Sequence, residues 1–235
     1  MIYVTGDIHA NHSIRKLGFK AWPEGRDLTR DDFLIILGDF GLVWYEGGNS
    51  ADDYWLDWLE SKQWTTLFVD GNHENHALLG ALPERDFCGG RVHVVRPHVL
   101  HLMRGHVFDL PCDGKTVSAL AMGGAGSHDI AYRTEGKDWW PDEIPSAEER
   151  ARCESVLDAC HWRVDHVFTH AAPARFVKNL GIRCSRPLDA DEFEEWLEGI
   201  AMRLSYGHWW FGHYHIDANL DERHHVRYDD VERIA

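Results

Sequence analysis

The chain has 235 residues, enough for one α/β domain with a substantial core and too few for two ordinary domains. Its apolar content of 44% is that of a globular protein, and no run of about 18 apolar residues predicts a membrane span. Asp and Glu number 39 against 24 Lys and Arg, so the formal net charge of -15 argues against extended nucleic-acid binding. We expect a single domain over residues 1–235.

The spacing of the cysteines and the first residues of the chain are indicators of the cellular compartment. The five cysteines are scattered and never spaced as Cys-x-x-Cys. The sequence starts with a β-branched and aromatic run, residues 2–5, rather than with the basic and apolar regions of a signal peptide. Because such cysteines fit a reducing compartment, we expect a cytoplasmic protein.

In the first third of the chain, short apolar runs alternate with amphipathic segments, which is typical of parallel strands joined by crossover helices. Strands are predicted over residues 2–5, 33–37 and 66–69. Each is followed by a Gly-Asp or Gly-Asn element, so polar side chains gather at the carboxyl ends of strands. Binding sites of open α/β sheets are built at that edge.

The middle of the chain changes character. Residues 92–122 are β-rich, and we expect a second sheet to begin there. Residues 123–145 have neither helical nor strand periodicity and include Arg133, Trp139 and Trp140. Aperiodic loops of this length are usually functional or disordered, so we interpret this segment as a candidate lid. Its tryptophans either stack on an aromatic part of a substrate or anchor the loop to the core.

Two amphipathic helices are predicted in the last third. Ser146 and Glu149 form a capping-box pattern that begins a helix reaching residue 160, and a strand follows over residues 164–169. The second helix follows the candidate caps Asp189 and Asp191 and carries a core-facing stripe that includes Trp196. We interpret its acidic run, residues 192, 194 and 195, as a solvated face. A short strand over residues 208–211 runs into Gly-His-Tyr-His, and a last strand is predicted around residues 226–228.

Five strand-end elements together supply a mixed oxygen and nitrogen ligand set. Their polar residues are Asp7 and His9; Asp39; Asn72, His73 and Glu74; His170; and His213 and His215. Carboxylates neutralise and bridge cations, imidazoles bind Mn, Fe and Zn, and an Asn carbonyl adds an uncharged ligand. With 17 histidines in the chain each element alone is a weak signal, whereas the five in this order are a specific one.

This order resembles that of the calcineurin-like metallophosphoesterase superfamily, whose pattern runs Asp-x-His, Gly-Asp, Gly-Asn-His-Glu/Asp, His and Gly-His-x-His. The resemblance extends from Asp7 to His215. It implies an α/β fold of two mixed β-sheets sandwiched between helices, in four αββα layers. It also implies two divalent metal ions, with Mn as the first candidate and Fe or Zn as alternatives.

The resemblance also assigns roles to the polar residues. The implied ligands are Asp7, His9 and His215 for the first metal, and Asn72, His170 and His213 for the second. Asp39 bridges the two metals and takes part in catalysis. His73 lies beside the substrate as a catalytic residue that protonates the leaving group, positioned by Glu74 or Asp39.

The sequence departs from the family pattern at two points. Phe40-Gly41-Leu42-Val43-Trp44 replaces the x-x-Asp-Arg-Gly that many members have after Gly-Asp, and no arginine follows Glu74 as in protein serine/threonine phosphatases. We therefore expect other arginines to contact the phosphate. The candidates are Arg133, Arg183 and Arg186, each of which is otherwise an ordinary surface residue.

The function that follows is dimetal-dependent hydrolysis of a small phosphorylated substrate by in-line attack of a metal-bound hydroxide. A phosphodiesterase or nucleotide hydrolase is slightly favoured. The alternatives are a phosphomonoesterase, including a protein phosphatase, and a non-catalytic metal-stabilised binding module. Residues Trp139 and Trp140, together with Arg133, are the candidate substrate contacts.

Overall fold

Two β-sheets form the centre of the computed structural model, which describes residues 1–235. The strands are β1 Ile2–Thr5, β2 Phe33–Leu37, β3 Thr65–Val69, β4 Glu84–Phe87, β5 Gly90–Arg96, β6 Val99–Leu102, β7 His106–Cys112, β8 Lys115–Met122, β9 Arg163–Thr169, β10 Ser205–Phe211, β11 Ala218–Asn219, β12 His224–Val226 and β13 Glu232–Arg233. The α-helices are α1 Ser50–Glu60, α2 His76–Gly80, α3 Ala147–Ala159, α4 Ala174–Arg183 and α5 Glu192–Arg203. Short 3-10 turns lie at Ile14–Leu17, Pro23–Arg26, Ile130–Tyr132 and Pro141–Glu143.

Both sheets are mixed, as predicted. The first has the order β13-β1-β2-β3-β6-β5-β4, with a parallel centre of β1, β2, β3 and β6. The second has the order β11-β12-β10-β9-β8-β7, with a parallel centre of β8, β9, β10 and β12. The outer strands pair antiparallel in both.

The sheets face each other across a shared apolar core. In β2, Ile35 and Leu37 pack into this core with Phe168 of β9. Their neighbours Leu34 and Ile36 point to the opposite face of the sheet and join a different core. Successive strand residues point to opposite faces, so a continuous apolar strand must be buried on both sides.

Helices cover the outer face of each sheet and complete four layers. Leu56 and Leu59 of α1 pack on the first sheet. Leu157 of α3, Val177 of α4 and Leu197 of α5 pack on the second sheet. No helix is long and apolar enough to cross a membrane.

Both predicted helix starts are confirmed. Ser146 and Glu149 form a complete capping box at α3, and Asp191 and Glu194 form another at α5. Such reciprocal hydrogen bonds satisfy main-chain N–H groups that would otherwise lack partners at a helix start. They fix where the two helices that cover the second sheet begin.

Three predictions need correction. The second sheet begins at His106, because β5 and β6 extend the first sheet through pairing with β3. Glu194 is buried rather than solvated, since the capping box turns its side chain inward towards Tyr214. Trp196 is only partly buried, because it lies at the edge of the core against Phe193 and donates from Nε1 to Glu154.

Candidate metal centre

The proposed ligands all leave the carboxyl ends of central parallel strands. Asp7 and His9 follow β1, Asp39 follows β2, and Asn72 follows β3 in the first sheet. The second sheet supplies His170 after β9, and His213 and His215 after β10. Because the two sheets face each other, these ends meet at one edge of the sandwich. The structure thus brings together all seven residues predicted from sequence.

The main chain is strained where it presents these side chains. His9, Asp39, His213 and His215 have positive φ angles of 43°, 45°, 69° and 52°. This left-handed conformation costs a residue other than glycine about 1–3 kcal/mol, and such residues cluster at functional sites. Four strained residues in one cluster therefore mark a position that the rest of the fold must stabilise.

Two glycines make room for the ligands. A Cβ atom on Gly38, whose φ is 101°, would lie 2.1 Å from Nδ1 of His170. A Cβ atom on Gly212 would lie 2.2 Å from Oδ1 of Asp7. Real Cβ atoms do not approach so closely, so any larger residue would displace a ligand. The Gly-Asp and Gly-His elements of the sequence have this steric origin.

The first ligand set consists of Asp7, His9, Asp39 and His215, which place one donor atom each within 4.8 Å of one another. The Nε2 atoms of His9 and His215 are 2.9 Å apart. Nε2 of His215 is 3.2 Å from Oδ2 of Asp7. Two carboxylates and two imidazoles in this space form a suitable donor set for Mn, Fe or Zn.

The second set is deeper in the fold. Nε2 of His170 is 3.3 Å from both Oδ1 of Asp39 and Oδ1 of Asn72, and its ring centroid is 4.9 Å from that of His213. Nδ1 of His170 lies 2.7 Å from the main-chain oxygen of Leu37, which accepts the Nδ1 proton, so Nε2 is the ring nitrogen that faces Asp39 and Asn72. This is the usual way in which a partner atom fixes the tautomer of a ligand histidine.

Asp39 lies between the two sets. Its Oδ2 atom is 3.5 Å from Nε2 of His9, whereas its Oδ1 atom is 3.3 Å from Nε2 of His170. Oδ1 also accepts a hydrogen bond from the main-chain N–H of His73 at 2.8 Å. The carboxylate therefore has one oxygen directed at each set.

The charge of the centre fits cations. Asp7 and Asp39 are buried, and buried carboxylates require compensating positive charge. Burial opposes protonation of His170, but the carboxylates of Asp39 and Asp7 outweigh it and raise the pKa of His170 to about 10. Burial would likewise raise the pKa of Asp39, yet His170 and the neighbouring imidazoles hold it well below its usual value. The site is thus one that favours added positive charge.

Ser127 and Lys16 also hold the ligands in place, and no sequence pattern predicts either contact. The amide nitrogen of Asn72 donates to Oγ of Ser127 at 3.0 Å, which turns its oxygen towards His170. Ser127 in turn donates to Glu143 at 2.6 Å. Lys16 donates from Nζ to the main-chain oxygen of Asp7 at 2.9 Å. Burial lowers the pKa of this Lys16 to about 8.

A cleft of about 190 Å³ lies over both ligand sets, and none of its lining residues is hydrophobic. Arg133 and Arg186 both line it, together with His73. The terminal nitrogens of Arg133 lie 3.3 and 3.4 Å from the ring nitrogens of His73, and Asp129 accepts from Nε of Arg133 at 2.6 Å. The aperiodic segment therefore reaches the centre through Arg133.

Other predicted contacts lie elsewhere. Arg183 is outside the cleft, and its Nε donates to Asn179. Neither Trp139 nor Trp140 lines the cleft, and Trp140, only 7% exposed, packs edge to face on Trp44. Trp140 therefore packs the segment against the core, which favours the anchoring alternative over stacking on a substrate.

Glu74 does not position the His73 side chain. Its two carboxylate oxygens accept from the main-chain N–H groups of Phe40 at 2.6 Å and Gly41 at 3.0 Å. This ties the loop after β3 to the loop after β2. Burial and the charge of Asp39 raise the pKa of Glu74 to about 8. The other sequence alternative, Asp39, is the residue that holds the main chain of His73.

The sequence profile of the calcineurin-like phosphoesterases matches residues 1–231 of the chain. The chain belongs to this family. It is accordingly a metal-dependent phosphoesterase, and the ligand cluster described above agrees with that activity. No curated protein sequence matches the chain significantly. In this phosphoesterase the departure from the family pattern, residues 40–44, runs along the loop that carries Asp39 and ends at Trp44, in the wall of a second pocket that His9 and His73 also line.

Proposed function

We propose that this phosphoesterase acts on phosphodiesters or nucleotides, with two divalent cations held on either side of Asp39. The observation that supports it is the orientation of that carboxylate, whose Oδ2 faces His9 and whose Oδ1 faces His170. A carboxylate so placed can ligate one cation with each oxygen. Mn is the first candidate, with Fe or Zn as alternatives, because the donors mix carboxylate, amide and imidazole groups.

The residues around the cleft have separate roles in this proposal. When bound, a pair of divalent cations neutralises phosphoryl oxygens and lowers the pKa of the attacking water. Arg133 and Arg186 bring guanidinium groups into the cleft, where they bind phosphoryl oxygens. His73 is in neither ligand set and borders the cleft, so it can protonate the departing oxygen.

A diester is preferred to a monoester because the centre opens on two sides. His9 and His73 also line a pocket of about 370 Å³, and His215 and Arg186 line another of about 350 Å³. A phosphate with two ester groups fills both spaces, whereas a monoester fills one. Monoester hydrolysis is the alternative substrate preference.

The test is turnover of bis-p-nitrophenyl phosphate and of p-nitrophenyl phosphate by Mn(II)-loaded protein, with a chelator-treated sample as control. We expect metal-dependent release of nitrophenolate and a higher kcat/KM for the diester. A higher kcat/KM for the monoester would reverse the substrate preference. If the protein binds metal but turns over neither ester, the result would favour the alternative of a non-catalytic metal-stabilised binding module.

A further inference from the structure

The pocket beside His9 and His73, which we call the Trp44 pocket, differs in chemistry from the cleft. Its walls include Trp44, Tyr45 and Asn49. The cleft over the ligands has no hydrophobic lining residue, so it offers nothing to the apolar part of a substrate. Because the pocket shares His9 and His73 with the centre, a group in it can be joined to a phosphate in the cleft.

The charge of the Trp44 pocket excludes a second phosphate. Its lining includes the carboxylate of Asp52 and no Lys or Arg. The pocket on the other side of the centre has the opposite character, since Arg183 and Arg186 line it without any carboxylate. An anionic group is favoured on the arginine side, and an uncharged or weakly basic group is favoured on the Trp44 side.

The aromatic wall is ready to bind a planar group. The main-chain oxygen of Trp44 accepts from Nδ2 of Asn75 at 2.9 Å, and its ring packs on the buried Trp140 with centroids 5.4 Å apart. Trp44 is therefore held in place before any ligand binds. Tyr45 is 56% exposed, so its ring remains available for contact.

Hydrogen-bonding groups accompany the rings. Oδ1 of Asn49 accepts from the main-chain N–H of Ala51, and its NH₂ group lies on the side of the Asp52 carboxylate, so the two side chains form one polar edge. The carboxylate of Asp52 can accept from an amino group. Pockets that combine aromatic walls with a few polar groups and exceed about 300 Å³ are typical of small-molecule sites.

Resting on the proposed function, we propose that the Trp44 pocket binds the nucleobase of a nucleoside phosphate ester while the ester lies over the ligand sets. A nucleobase is planar and uncharged and has hydrogen-bonding edges, which matches each property of the lining. The base packs against Trp44 and Tyr45, and Asn49 and Asp52 bind its edge. The departure from the family pattern at residues 40–44 thus determines substrate choice.

The test uses substrate pairs that differ only in the base. Thymidine 5′-(p-nitrophenyl) phosphate is compared with its base-free counterpart, 2-deoxyribose 5-(p-nitrophenyl) phosphate, and adenosine 5′-monophosphate with ribose 5-phosphate. For whichever pair the wild type hydrolyses, we expect kcat/KM to be at least tenfold higher for the member that contains the base. Removal of an aromatic residue that stacks on a base typically weakens binding by about fivefold or more.

The variants are Trp44→Leu, Trp44→Phe and Tyr45→Ala. We expect Trp44→Leu and Tyr45→Ala to lose most of the preference, so that the ratio of kcat/KM within each pair falls towards one, and Trp44→Phe to keep part of it. Tyr54→Ala is the matched control, because Tyr54 is an exposed tyrosine of α1 that does not line the pocket. It should keep the full preference.

Several outcomes would overturn the proposal. These are equal kcat/KM within each pair for the wild type, or an equal fall on both members in Trp44→Leu. If no ester is hydrolysed, the proposed function fails, and saturation-transfer NMR with adenosine decides on the pocket alone. A signal from the adenine protons that Trp44→Leu abolishes and Tyr54→Ala retains supports it, and its absence in the wild type refutes it.

Discussion

The two ligand sets differ in depth. In the first, the His215 side chain is 50% exposed, and His9 lines the Trp44 pocket. In the second, His170 is fully buried and both of its ring nitrogens face chain atoms. The family pattern thus produces one ligand set that is open to solvent and one that is enclosed. We call them the open half and the enclosed half of the centre. The open half is where substrate and solvent enter, and the enclosed half is where the fold is most sensitive to a change.

Asp39→Asn tests the link between the halves and should have the largest effect. Asn cannot offer a charged oxygen to each set, so we expect weaker metal binding at both and a fall in activity of about a thousandfold, since metal charge stabilisation contributes several kcal/mol. Elemental analysis and kcat/KM measure this. Asp57→Asn, at an exposed carboxylate of α1, is the control. Full occupancy of both sites with full activity would remove Asp39 as the bridge.

The second prediction compares His170→Ala with His215→Ala in chelator-treated protein. Loss of His170 leaves the buried Asp7 and Asp39 without the fully buried imidazole whose pKa they raise, and removal of one member of a buried pair costs about 3–5 kcal/mol. His215 is half exposed, so its loss should lower the free energy of unfolding by less than about 1 kcal/mol. Urea denaturation measures both. Equal losses would show that the halves do not differ in depth.

His73 lies beside the open half without being one of its ligands, and its ring centroid is 5.1 Å from that of His9. We expect His73→Ala to slow hydrolysis of alkyl esters about a hundredfold and that of p-nitrophenyl esters much less, because a basic leaving group needs a proton and nitrophenolate does not. Metal content should stay near wild type. An equal loss on both esters would instead indicate a role in phosphate binding.

Glu194 supports the loop that carries the open ligand, since it accepts from Tyr214, the residue between His213 and His215, at 2.7 Å. Burial raises the pKa of Glu194 to about 7, although hydrogen bonds from Tyr214 and Asp191 lower it. The pKa of Glu194 is higher in the folded state than in the unfolded state, so ionisation of this carboxyl group destabilises the fold. The effect is absent at low pH, where the group is protonated in both states, and complete above about pH 7.

Glu194→Gln should therefore gain stability relative to wild type as the pH rises from 5 to 8, by at most about 3 kcal/mol. Chemical denaturation at several pH values measures the difference in free energy of unfolding. Glu195→Gln, at an exposed position of the same helix, should show no such trend. A pH-independent difference for Glu194→Gln would mean that this carboxyl group ionises normally when folded.

Local patterns predicted the ligands, whereas contacts between distant segments were not predictable. Gly38-Asp39 and Gly212-His213 could be identified because the glycine and its ligand are adjacent in sequence and follow apolar strands. Glu194 was misinterpreted because its burial depends on Tyr214, twenty residues away in sequence.

The role of the aperiodic segment was predicted only in part. The approach of Arg133 to His73 joins residues 60 apart in sequence, and no periodicity records such a contact. Whether Trp140 stacks on a substrate or anchors the loop depends on its contact with Trp44. Only the folded structure shows that these two rings pack together. Loops are poorly predicted for this reason, since their packing partners lie far away in the chain.

The division of ligands between the sheets has a consequence for biosynthesis. A growing chain first produces Asp7, His9, Asp39 and Asn72, all from the first sheet. The three histidines of the second sheet follow only after residue 169, and the two sheets must pack together before the carboxylates gain these partners. Cations that bind only the finished centre stabilise the packed sheets, because ligands that favour the native state add to its stability. Because both ligand sets draw on both sheets, the centre is therefore complete only after His215 has been synthesised.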